Sequence, residues 1–389
     1  MASPAYTVLV TGSSGHLGAA LMLTLPSRGH TPLGLDVLPS DTTTVVGSVT
    51  DRALVASLLA RHPSIAHVVH AAALHKPHVE SHPQSAFVDA NITGTLVLLE
   101  EAAAADDAAA ADGDDRPSRI RSFVFVSTTS AFGAALAPEP GRPAAWIDES
   151  VVPDLCALAH RRPRPGLPGL PVVVLRAARF FPEADDDPDR RAALAPADDG
   201  ANLKVCELAY RRADVADVAD AVACAMERAA AIGFGTYIVS APTPFSRLLA
   251  AAAADGDDDE GEKEGASDGG GSRGAGERRR RRRRQGFASA SGRLPTLLRR
   301  LDTDAGAVLR EAVPGCAAVF DRLGWGFLER VDRVYDSSRA VRELGWRPEW
   351  TFDEVVARLA RGEDWRSELT HRVGKRGYHA VPTGVYTTR

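Results

Sequence analysis

The stretch Val8-Leu-Val-Thr-Gly-Ser-Ser-Gly-His-Leu-Gly18 decides the fold of this chain. Its apolar start predicts a short buried strand, and the residues after Thr11 predict a tight turn that opens a helix. Gly12, Gly15 and Gly18 follow the spacing G-x-x-G-x-x-G. In such a turn the first glycine permits the bend, the second lets backbone approach a pyrophosphate, and the third lets the helix pack closely on the strand. Phosphates bind favourably at the N-terminus of the helix, so the turn predicts a dinucleotide site.

A second apolar strand, Pro32–Asp36, ends in an acid near the expected ~20 residues beyond the turn. A carboxylate at this place accepts hydrogen bonds from the ribose 2′-hydroxyl and repels a 2′-phosphate. The residues that follow, Val37–Ser40, include no Arg or Lys to bind such a phosphate. The sequence therefore predicts NAD as the cofactor and disfavours NADP.

Composition narrows the class of protein. The chain has 389 residues, and its 44% of hydrophobic residues is ordinary for a globular protein. Its formal net charge of −5 disfavours nucleic acid as a partner. No apolar run approaches the ~18 residues of a membrane span, and a first strand beginning by about Tyr6 leaves no room for a targeting peptide. Cys156, Cys206, Cys224 and Cys316 lack C-x-x-C spacing and are predicted to be reduced thiols. We expect a cytoplasmic protein.

Short apolar runs alternate with helical patterns through the first half of the chain, as a doubly wound parallel sheet requires. The predicted strands are Val8–Val10, Leu33–Leu35, Val45–Val46, His67–His70, Phe123–Val126, Val172–Leu175 and Thr236–Val239. The predicted helices are Leu17–Leu25, Arg52–Arg61, Asn91–Ala105 and one capped by Asp214 that runs to about Ala231. The fold class predicted is α/β, a Rossmann-type doubly wound parallel sheet with a smaller C-terminal lobe.

The predicted cofactor domain covers residues 1–178, with 207–241 returning to it, and the substrate lobe covers 179–206 and 242–389. Two stretches are predicted to lie outside the packed fold. Ala102–Pro117 is rich in Ala, Asp and Gly, and the low-complexity stretch 248–292 is predicted to be disordered. This second stretch contains the acidic block Asp255–Glu264 and the seven consecutive arginines Arg278–Arg284. The arginine run is interpreted as part of a partly self-neutralised insertion, with a nucleic-acid or nuclear-import patch as the alternative.

Several further segments carry motifs of one family. They are Gly47-Ser-Val-Thr-Asp51, with Ser48 in place of the usual acid, Val69-His-Ala-Ala-Ala73, Asn91-Ile-Thr-Gly-Thr95, Ser127-Thr-Thr-Ser-Ala-Phe-Gly133, with Phe132 in place of a tyrosine, Leu175-Arg176 with Arg179-Phe-Phe-Pro182, Gly235–Ala241, Arg333–Asp336 and Leu344–Pro348. With the glycine turn, they resemble the extended short-chain dehydrogenase/reductase family, the NAD-dependent sugar-nucleotide epimerases and dehydratases. The resemblance covers nearly the whole chain apart from the two insertions.

The resemblance implies hydride transfer between NAD and a hydroxyl carbon of a nucleotide sugar. The cofactor contacts that it implies are Gly12, Ser14, Gly15, His16, Leu17, Gly18, Asp36, Ser48, Val49, Ala71, Ala72, Ala73, Asn91 and Ser127. Thr128 is implied as the catalytic hydroxyl that binds the substrate oxygen. Arg179 and Arg211 are implied as substrate contacts, with an inter-lobe salt bridge as the alternative for Arg179 and Arg212 as the alternative to Arg211. No metal is implied, and a homodimer is left open. Trp325 and Trp346 are predicted to be core residues of the small lobe.

The family's Tyr-x-x-x-Lys pair is missing from this sequence. No tyrosine lies between Tyr6 and Tyr210, and no lysine lies between Lys76 and Lys204. Residues i and i+4 share a helical face, and the lysine is needed because a tyrosine with a pKa near 10 is otherwise a poor base. Where the family places this pair, the chain has a shortened segment after Glu149.

Three interpretations of the missing pair stay open. The gene model omits part of the helix, the protein is a catalytically silent dinucleotide binder, or the enzyme uses another base from His75, Lys76 and His78. The predicted function is therefore that of an NAD-dependent epimerase or dehydratase, with an inactive NAD-binding regulatory or scaffold protein as the alternative. His75, His78 and His82 have i, i+3, i+7 spacing, and they are predicted to be polar loop residues rather than metal ligands.

Overall fold

The computed structural model describes residues 5–75, 78, 81–110, 118–132, 138–151, 170–180, 200–254 and 293–374, with only the backbone described for 106–110 and 251–254. The strands are β1 (Val8–Thr11), β2 (Pro32–Asp36), β3 (Val45–Val46), β4 (His67–His70), β5 (Ser122–Thr128), β6 (Ala145–Ile147), β7 (Val172–Ala177), β8 (Phe234–Val239) and β9 (Arg333–Tyr335). The helices are α1 (His16–Thr24), α2 (Arg52–Arg61), α3 (Gln84–Val88), α4 (Gly94–Ala110), α5 (Ala201–Leu208), α6 (Val215–Ile232), α7 (Ser246–Ala254), α8 (293–303), α9 (Ala305–Ala312), α10 (Cys316–Leu323), α11 (Ser338–Leu344), α12 (Phe352–Ala360) and α13 (Glu368–Val373).

The main sheet is parallel throughout and has the order β3-β2-β1-β4-β5-β7-β8. Its strands are mostly buried on both sides, so their sequences are continuous apolar runs rather than alternating ones. The chain winds outward in both directions from the pair β1 and β4, which makes the sheet doubly wound. The predicted Rossmann-type α/β fold class is confirmed.

Each face of the sheet has its own apolar cluster. On one face, Val10, Val124 and Val173 pack against helices α1 and α6. On the other face, Leu33 and Phe123 pack against α2 and α4. Burial of these side chains is the main force that holds the helices on the sheet.

A third apolar cluster belongs to the C-terminal half. It joins α5 and the Phe245 region to α8, α9, α10 and α12. Trp325 packs against this cluster, whereas Trp346 is fully buried against the α1 and α6 side of the main sheet. The boundary between the two predicted domains stays a prediction. No helix in the described ranges is long and apolar enough to cross a membrane.

Two predicted insertions begin later than the sequence suggests. The prediction for Ala102–Pro117 is wrong over its first part, because α4 continues to Ala110 and Ala102 is buried in the core. The prediction for the 248–292 stretch is likewise wrong for 248–254, which belong to α7. Both errors have one cause, since a run of alanines extends a helix rather than ends it. Residues 111–117, 255–292 and the arginine run lie outside the described residues.

The helix predicted to begin at Asn91 begins at Gln84 instead. Between α3 and α4 the backbone makes one turn of π-helix, Asp89–Thr93, which contains Asn91. Such turns occur often at functional sites because they redirect one side chain without ending the helix. The helix capped by Asp214 is confirmed, since the Asp214 carboxylate accepts a hydrogen bond of 2.8 Å from the Ala216 N–H at the start of α6.

The same end of α6 holds the C-terminal half in place. The Asp217 carboxylate accepts hydrogen bonds from the backbone N–H groups of Glu349 and Trp350, at 2.8 and 2.9 Å. The Asp214 carboxylate accepts from the backbone N–H of Ser367, which begins α13. Burial raises the pKa of Asp217 to about 7, and the charges of Asp214 and Glu349 add to this, although the two backbone hydrogen bonds oppose it.

This pKa predicts how Asp217→Asn changes the pH dependence of stability. The carboxyl group titrates near 3.8 when unfolded and at about 7 when folded, so the folded protein binds more protons between these values. The contribution of Asp217 to the free energy of unfolding therefore falls as pH rises, by at most about 1.4 kcal/mol per pH unit. Urea denaturation of both proteins from pH 4 to 7 measures it, and the wild type should lose stability relative to the variant.

The wild type and Asp217→Asn must be compared because buried histidines change the stability with pH in the opposite direction to Asp217. Burial lowers the pKa of His67 and of His70 to about 4, so their contribution is lost as pH falls below 6.5. Both proteins share these histidines, and the difference between the two profiles cancels them. Parallel profiles would show that Asp217 does not titrate in this range.

Candidate functional site

The candidate site lies at the carboxyl edge of the main sheet. The glycine turn follows β1, Asp36 ends β2, the segment 71–75 follows β4, and Ser127 and Thr128 end β5. In an open parallel sheet, ligands bind at this edge where the strand order reverses, which here is the crevice between β1 and β4. The fold therefore brings the predicted cofactor residues to one edge.

Two of the three glycines of the turn, Gly12 and Gly18, are required by close backbone contacts. Gly12 has a φ of +74°, and a Cβ there would lie 2.7 Å from the Ala72 N atom. A Cβ on Gly18 would lie 1.9 Å from the Gly12 carbonyl oxygen, whereas one on Gly15 would lie at 3.4 Å from the same oxygen. Gly12 and Gly18 thus let the turn pack on its neighbours, and Gly15 keeps the space above the turn open.

Helix α1 begins at the turn with a glycine as its N-cap. Gly15 has no side chain that could accept hydrogen bonds from the N–H groups of the first turn, as Ser, Thr or Asp would. The helix dipole places partial positive charge at the same point. His16 and Leu17 are buried beside it. This arrangement suits an anionic group such as a phosphate.

Asp36 is held against the turn. One carboxylate oxygen accepts a hydrogen bond of 3.0 Å from the Ser14 N–H, and the other accepts one of 2.9 Å from the Leu38 N–H. A carboxylate has about four lone-pair sites, so it can also accept from a ribose hydroxyl. The side chain of Val37 beside it is exposed. Asp36 therefore faces the crevice as a fixed acceptor with negative charge.

The segment after β4 is held by Asn91. The Asn91 side chain accepts a hydrogen bond from the Leu74 N–H and donates one to the Leu74 carbonyl, both at 2.8 Å. Asn91 thus acts as a clamp on Leu74, which follows the residues Ala71 and Ala72 that lie against Gly12. Ser48 accepts from the Thr50 N–H at 3.1 Å, and Val49 is buried against Gly94 in α4.

At the end of β5, Thr128 is exposed and its hydroxyl oxygen accepts a hydrogen bond of 3.0 Å from the Ser130 N–H. Ser127 lies in register with Arg176 of β7. Phe132, at the position of the family's tyrosine, is fully buried and stacks on Tyr335, so it belongs to the core. The Arg176 guanidinium carbon lies 4.9 Å from the Phe132 ring centre. Of this group, only Thr128 presents an exposed hydroxyl.

Glu149 lies beside this group, and its side chain contacts the edge strand β8. Its carboxylate accepts a hydrogen bond of 2.8 Å from the Ile238 N–H. Burial raises its pKa, against the lowering effects of backbone hydrogen bonds and of Arg339. Glu149 therefore acts as a structural acceptor at the sheet edge. Residues 152–169, which follow Glu149 where the family places its Tyr-Lys pair and which include Cys156, lie outside the described residues. Among the described residues, Cys206, Cys224 and Cys316 form no disulfide.

The predicted substrate arginines gather around one buried acid. Arg211 and Arg212 are both paired with the fully buried Glu207, with Nε–oxygen distances of 2.8 and 2.9 Å. Arg179 lies 3.5 Å from the same carboxylate and is more exposed than the other two. Asp332 adds negative charge near Arg211. Arg179 is thus the member of this cluster that is best placed to meet a ligand.

The imidazole rings of the three predicted loop histidines, His75, His78 and His82, lie next to one another. The ring centres of His75 and His78 are 5.1 Å apart, and those of His78 and His82 are 5.4 Å apart. Burial, with the charges of His78 and His16, lowers the pKa of His75 to about 4. Among the described residues no group of three or more His, Cys, Asp or Glu side chains could hold a metal ion. Lys76 lies outside the described residues.

Sequence reasoning missed Glu207 and the role of His70. The Glu207–Arg211 pair has the i, i+4 spacing of a helical ion pair, which could have indicated it. His70 ends a buried strand, and a buried polar side chain needs hydrogen-bond partners. No sequence signal identifies those partners, because Thr11 lies in β1 and Thr95 lies in α4.

The sheet order and the glycine turn define a Rossmann-type α/β protein. Residues 8–147 match the family model described as "NAD dependent epimerase/dehydratase family". Over this segment the chain is similar to that family.

Curated relatives match the same part of the chain. The UDP-glucose 4-epimerase of Erwinia amylovora is 29% identical over 149 residues, which cover 34% of this chain and 40% of that protein. The dTDP-glucose 4,6-dehydratase of Xanthomonas campestris pv. campestris (strain B100) is 35% identical over 141 residues, which cover 33% of this chain and 39% of that protein. The match therefore spans about two fifths of the relatives' length.

Among solved structures, a short-chain dehydrogenase/reductase superfamily protein from Agrobacterium tumefaciens with bound NAD is similar to this chain. It is 18% identical, with a TM-score of 0.46, and the alignment covers 92% of this chain and 96% of that one. The UDP-glucose 4-epimerase of Thermotoga maritima, solved with UDP-glucose, is 16% identical with a TM-score of 0.45; its alignment covers 92% of this chain and 99% of that one.

Proposed function

We propose that this protein binds NAD at the glycine turn and Asp36, and that it takes a nucleotide sugar at the same edge of the sheet. The observation that carries the proposal is the turn itself. Its backbone is packed so closely that a Cβ on Gly12 or Gly18 would overlap neighbouring backbone, while Gly15 leaves the helix start uncapped. Backbone N–H groups aimed outward at a helix N-terminus are suited to a pyrophosphate.

The residues present fit NAD better than NADP. The Asp36 carboxylate is fixed by two backbone N–H groups and can accept from a ribose hydroxyl. Its negative charge would repel a 2′-phosphate, and no basic residue follows within Val37–Ser40. Ser14, Ala72 and Asn91 would border the rest of the dinucleotide.

The proposed second ligand is a nucleotide sugar. Curated relatives of the N-terminal segment are named as enzymes that act on UDP-glucose and dTDP-glucose. Arg179, which is partly exposed beside Glu207, would bind a phosphate of such a ligand, with Arg211 behind it. Bound NAD would supply a hydride acceptor. Thr128 would hold the substrate oxygen through its exposed hydroxyl.

The sequence offers two outcomes for turnover. The family's tyrosine and lysine are absent between Tyr6 and Tyr210 and between Lys76 and Lys204. Loss of a general base costs about 10²–10⁴-fold in rate. The proposed activity is hydride transfer of the epimerase or dehydratase type at a strongly reduced rate, and the alternative is an inactive NAD-binding regulatory or scaffold protein. The missing pair favours the alternative.

Calorimetric titration of the whole protein with NAD and NADP tests the cofactor proposal. We expect NAD to bind at least about tenfold more tightly than NADP, because the Asp36 carboxylate would repel the 2′-phosphate. A tenfold difference in affinity corresponds to about 1.4 kcal/mol. Asp36→Asn removes the charge but keeps an acceptor, so it should narrow that difference. Formation of NADH with UDP-glucose as the probe substrate then distinguishes an enzyme that works at a strongly lowered rate from an inactive NAD-binding protein.

The matched control is Asp304→Asn. Asp304 also accepts a backbone hydrogen bond, from the Ala307 N–H at 2.9 Å, but it caps α9 away from the glycine turn. Its replacement should leave the preference for NAD unchanged. A folded wild type that binds neither dinucleotide would contradict the proposal.

A further inference from the structure

A chain of hydrogen bonds runs beneath the glycine turn, from one side of the crevice to the other. The Ala72 N–H donates to the Thr11 hydroxyl oxygen at 3.3 Å, and this hydroxyl lies 2.8 Å from His70 Nδ1. On the other side of the ring, His70 Nε2 lies 2.9 Å from the Thr95 hydroxyl, which donates to the Asn91 carbonyl at 2.7 Å. The chain joins β1, β4, the π-turn and α4.

The contacts determine where the protons lie. The Thr95 hydroxyl has one proton, which it donates to the Asn91 carbonyl, so His70 must donate to Thr95 from Nε2. The neutral ring then has a bare Nδ1, which accepts the proton of the Thr11 hydroxyl. The Thr11 oxygen accepts from the Ala72 N–H. Every donor therefore points the same way, from Ala72 towards Asn91.

The surroundings of His70 favour this neutral form. The side chain is fully buried, and its ring lies 5.6 Å from that of Phe125 and 6.4 Å from that of Phe123. Burial lowers the pKa of His70 to about 4. The ring is thus neutral at physiological pH, and two of its neighbours are the aromatic rings of β5.

We propose that His70, as the Nε2–H tautomer, is a positioning residue that fixes the segment 71–75 against the glycine turn and so sets the width of the NAD crevice. The proposal rests on the proposed NAD binding. Through Thr11 the ring holds the strand that ends in the turn, and through Thr95 it holds the π-turn whose Asn91 clamps Leu74. Ala72 lies against Gly12 so closely that a small shift of this segment would change the crevice.

The variants His70→Gln and His70→Leu test this role. A glutamine amide has one acceptor and donors, so it can replace both contacts of the imidazole, whereas leucine replaces neither. By calorimetry we expect the leucine variant to bind NAD at least about tenfold more weakly than the wild type, and the glutamine variant to stay within about threefold. Equal affinities of the leucine and wild-type proteins would overturn the proposal.

His67→Leu is the matched control. His67 is also a buried histidine in β4, but it lies at the opposite end of the strand, where its Nδ1 is 2.7 Å from the Ser122 hydroxyl. Its loss should destabilise the protein without changing the NAD affinity of the folded molecules. If His67→Leu weakened NAD binding as much as His70→Leu, a general loss of stability would explain both, and the proposal would be overturned.

Two measurements without NAD separate this proposal from the proposed function. ¹⁵N NMR of the imidazoles should show a proton on Nε2 of His70 and a bare Nδ1 at pH 7. Hydrogen exchange of the Ala72 and Leu74 amides should accelerate in His70→Leu but not in His67→Leu. If the wild type bound no NAD, these results would still decide the role of His70, and an Nδ1–H tautomer or unchanged exchange would overturn it.

Discussion

Gly18→Ala should destabilise the protein by about 3 kcal/mol or more and abolish NAD binding, at the upper end of what added atoms in a packed core cost. The new methyl group would lie 1.9 Å from the Gly12 carbonyl oxygen and 2.7 Å from the Ser13 Cα. Both are backbone atoms of the turn, so no side chain can rotate to make room. Either α1 moves off β1 or the turn opens. Chemical denaturation and NAD calorimetry measure the two effects.

Gly15→Ala is the control for this prediction. A Cβ there would meet the same Gly12 oxygen at 3.4 Å, which is close to an ordinary contact, and the residue has a φ of −72°. It should therefore cost less than about 1 kcal/mol in stability, within the range of tolerated changes. If the two variants were equally stable, the close packing of α1 on the turn would be wrong.

The stability cost of Gly12→Ala can be divided into backbone strain and steric overlap by comparison with Gly29→Ala. Gly12 and Gly29 have nearly the same φ, +74° and +80°, but a Cβ on Gly29 meets nothing within 4 Å. Gly29→Ala should thus cost only the left-handed backbone penalty of about 1–2 kcal/mol. We expect Gly12→Ala to cost clearly more, since its Cβ would also overlap the Ala72 backbone.

Glu207→Gln should lower the free energy of unfolding by about 3–5 kcal/mol, the usual cost of leaving buried charges without their partner. The Glu207 carboxylate is fully buried and pairs with Arg211 and Arg212, while Arg179 lies close by. The amide keeps the shape but not the charge, so the buried charges of Arg211 and Arg212 would no longer be balanced by that of Glu207. Urea denaturation at constant pH measures the loss.

The control is Glu311→Gln. Glu311 pairs with Arg300 at 2.6 Å, but both side chains are about half exposed, so water screens the pair. Such surface pairs contribute about 0–1 kcal/mol. A loss of this size for Glu207→Gln would mean that the charge of Glu207 does not stabilise the buried cluster.

Much of the fold could be predicted from local patterns. The glycine turn, the apolar strands and the acid at Asp36 are close in sequence, and their spacing alone predicted the β1–α1–β2 unit at the correct place. The errors arose where composition is ambiguous. Alanine-rich stretches were interpreted as insertions, although alanine favours helix, and the end of α4 and the whole of α7 were missed for that reason.

The site could be predicted only where one segment carries it. The sequence by itself determined the glycine turn, the acid beside it and the absence of the tyrosine and lysine, because each depends on residue types within a short stretch. Only the tertiary structure decided that Glu207 gathers three arginines and that His70 bridges Thr11 and Thr95. These partners lie up to 59 residues apart, and a buried polar group takes whichever partner the packed core places within hydrogen-bond distance.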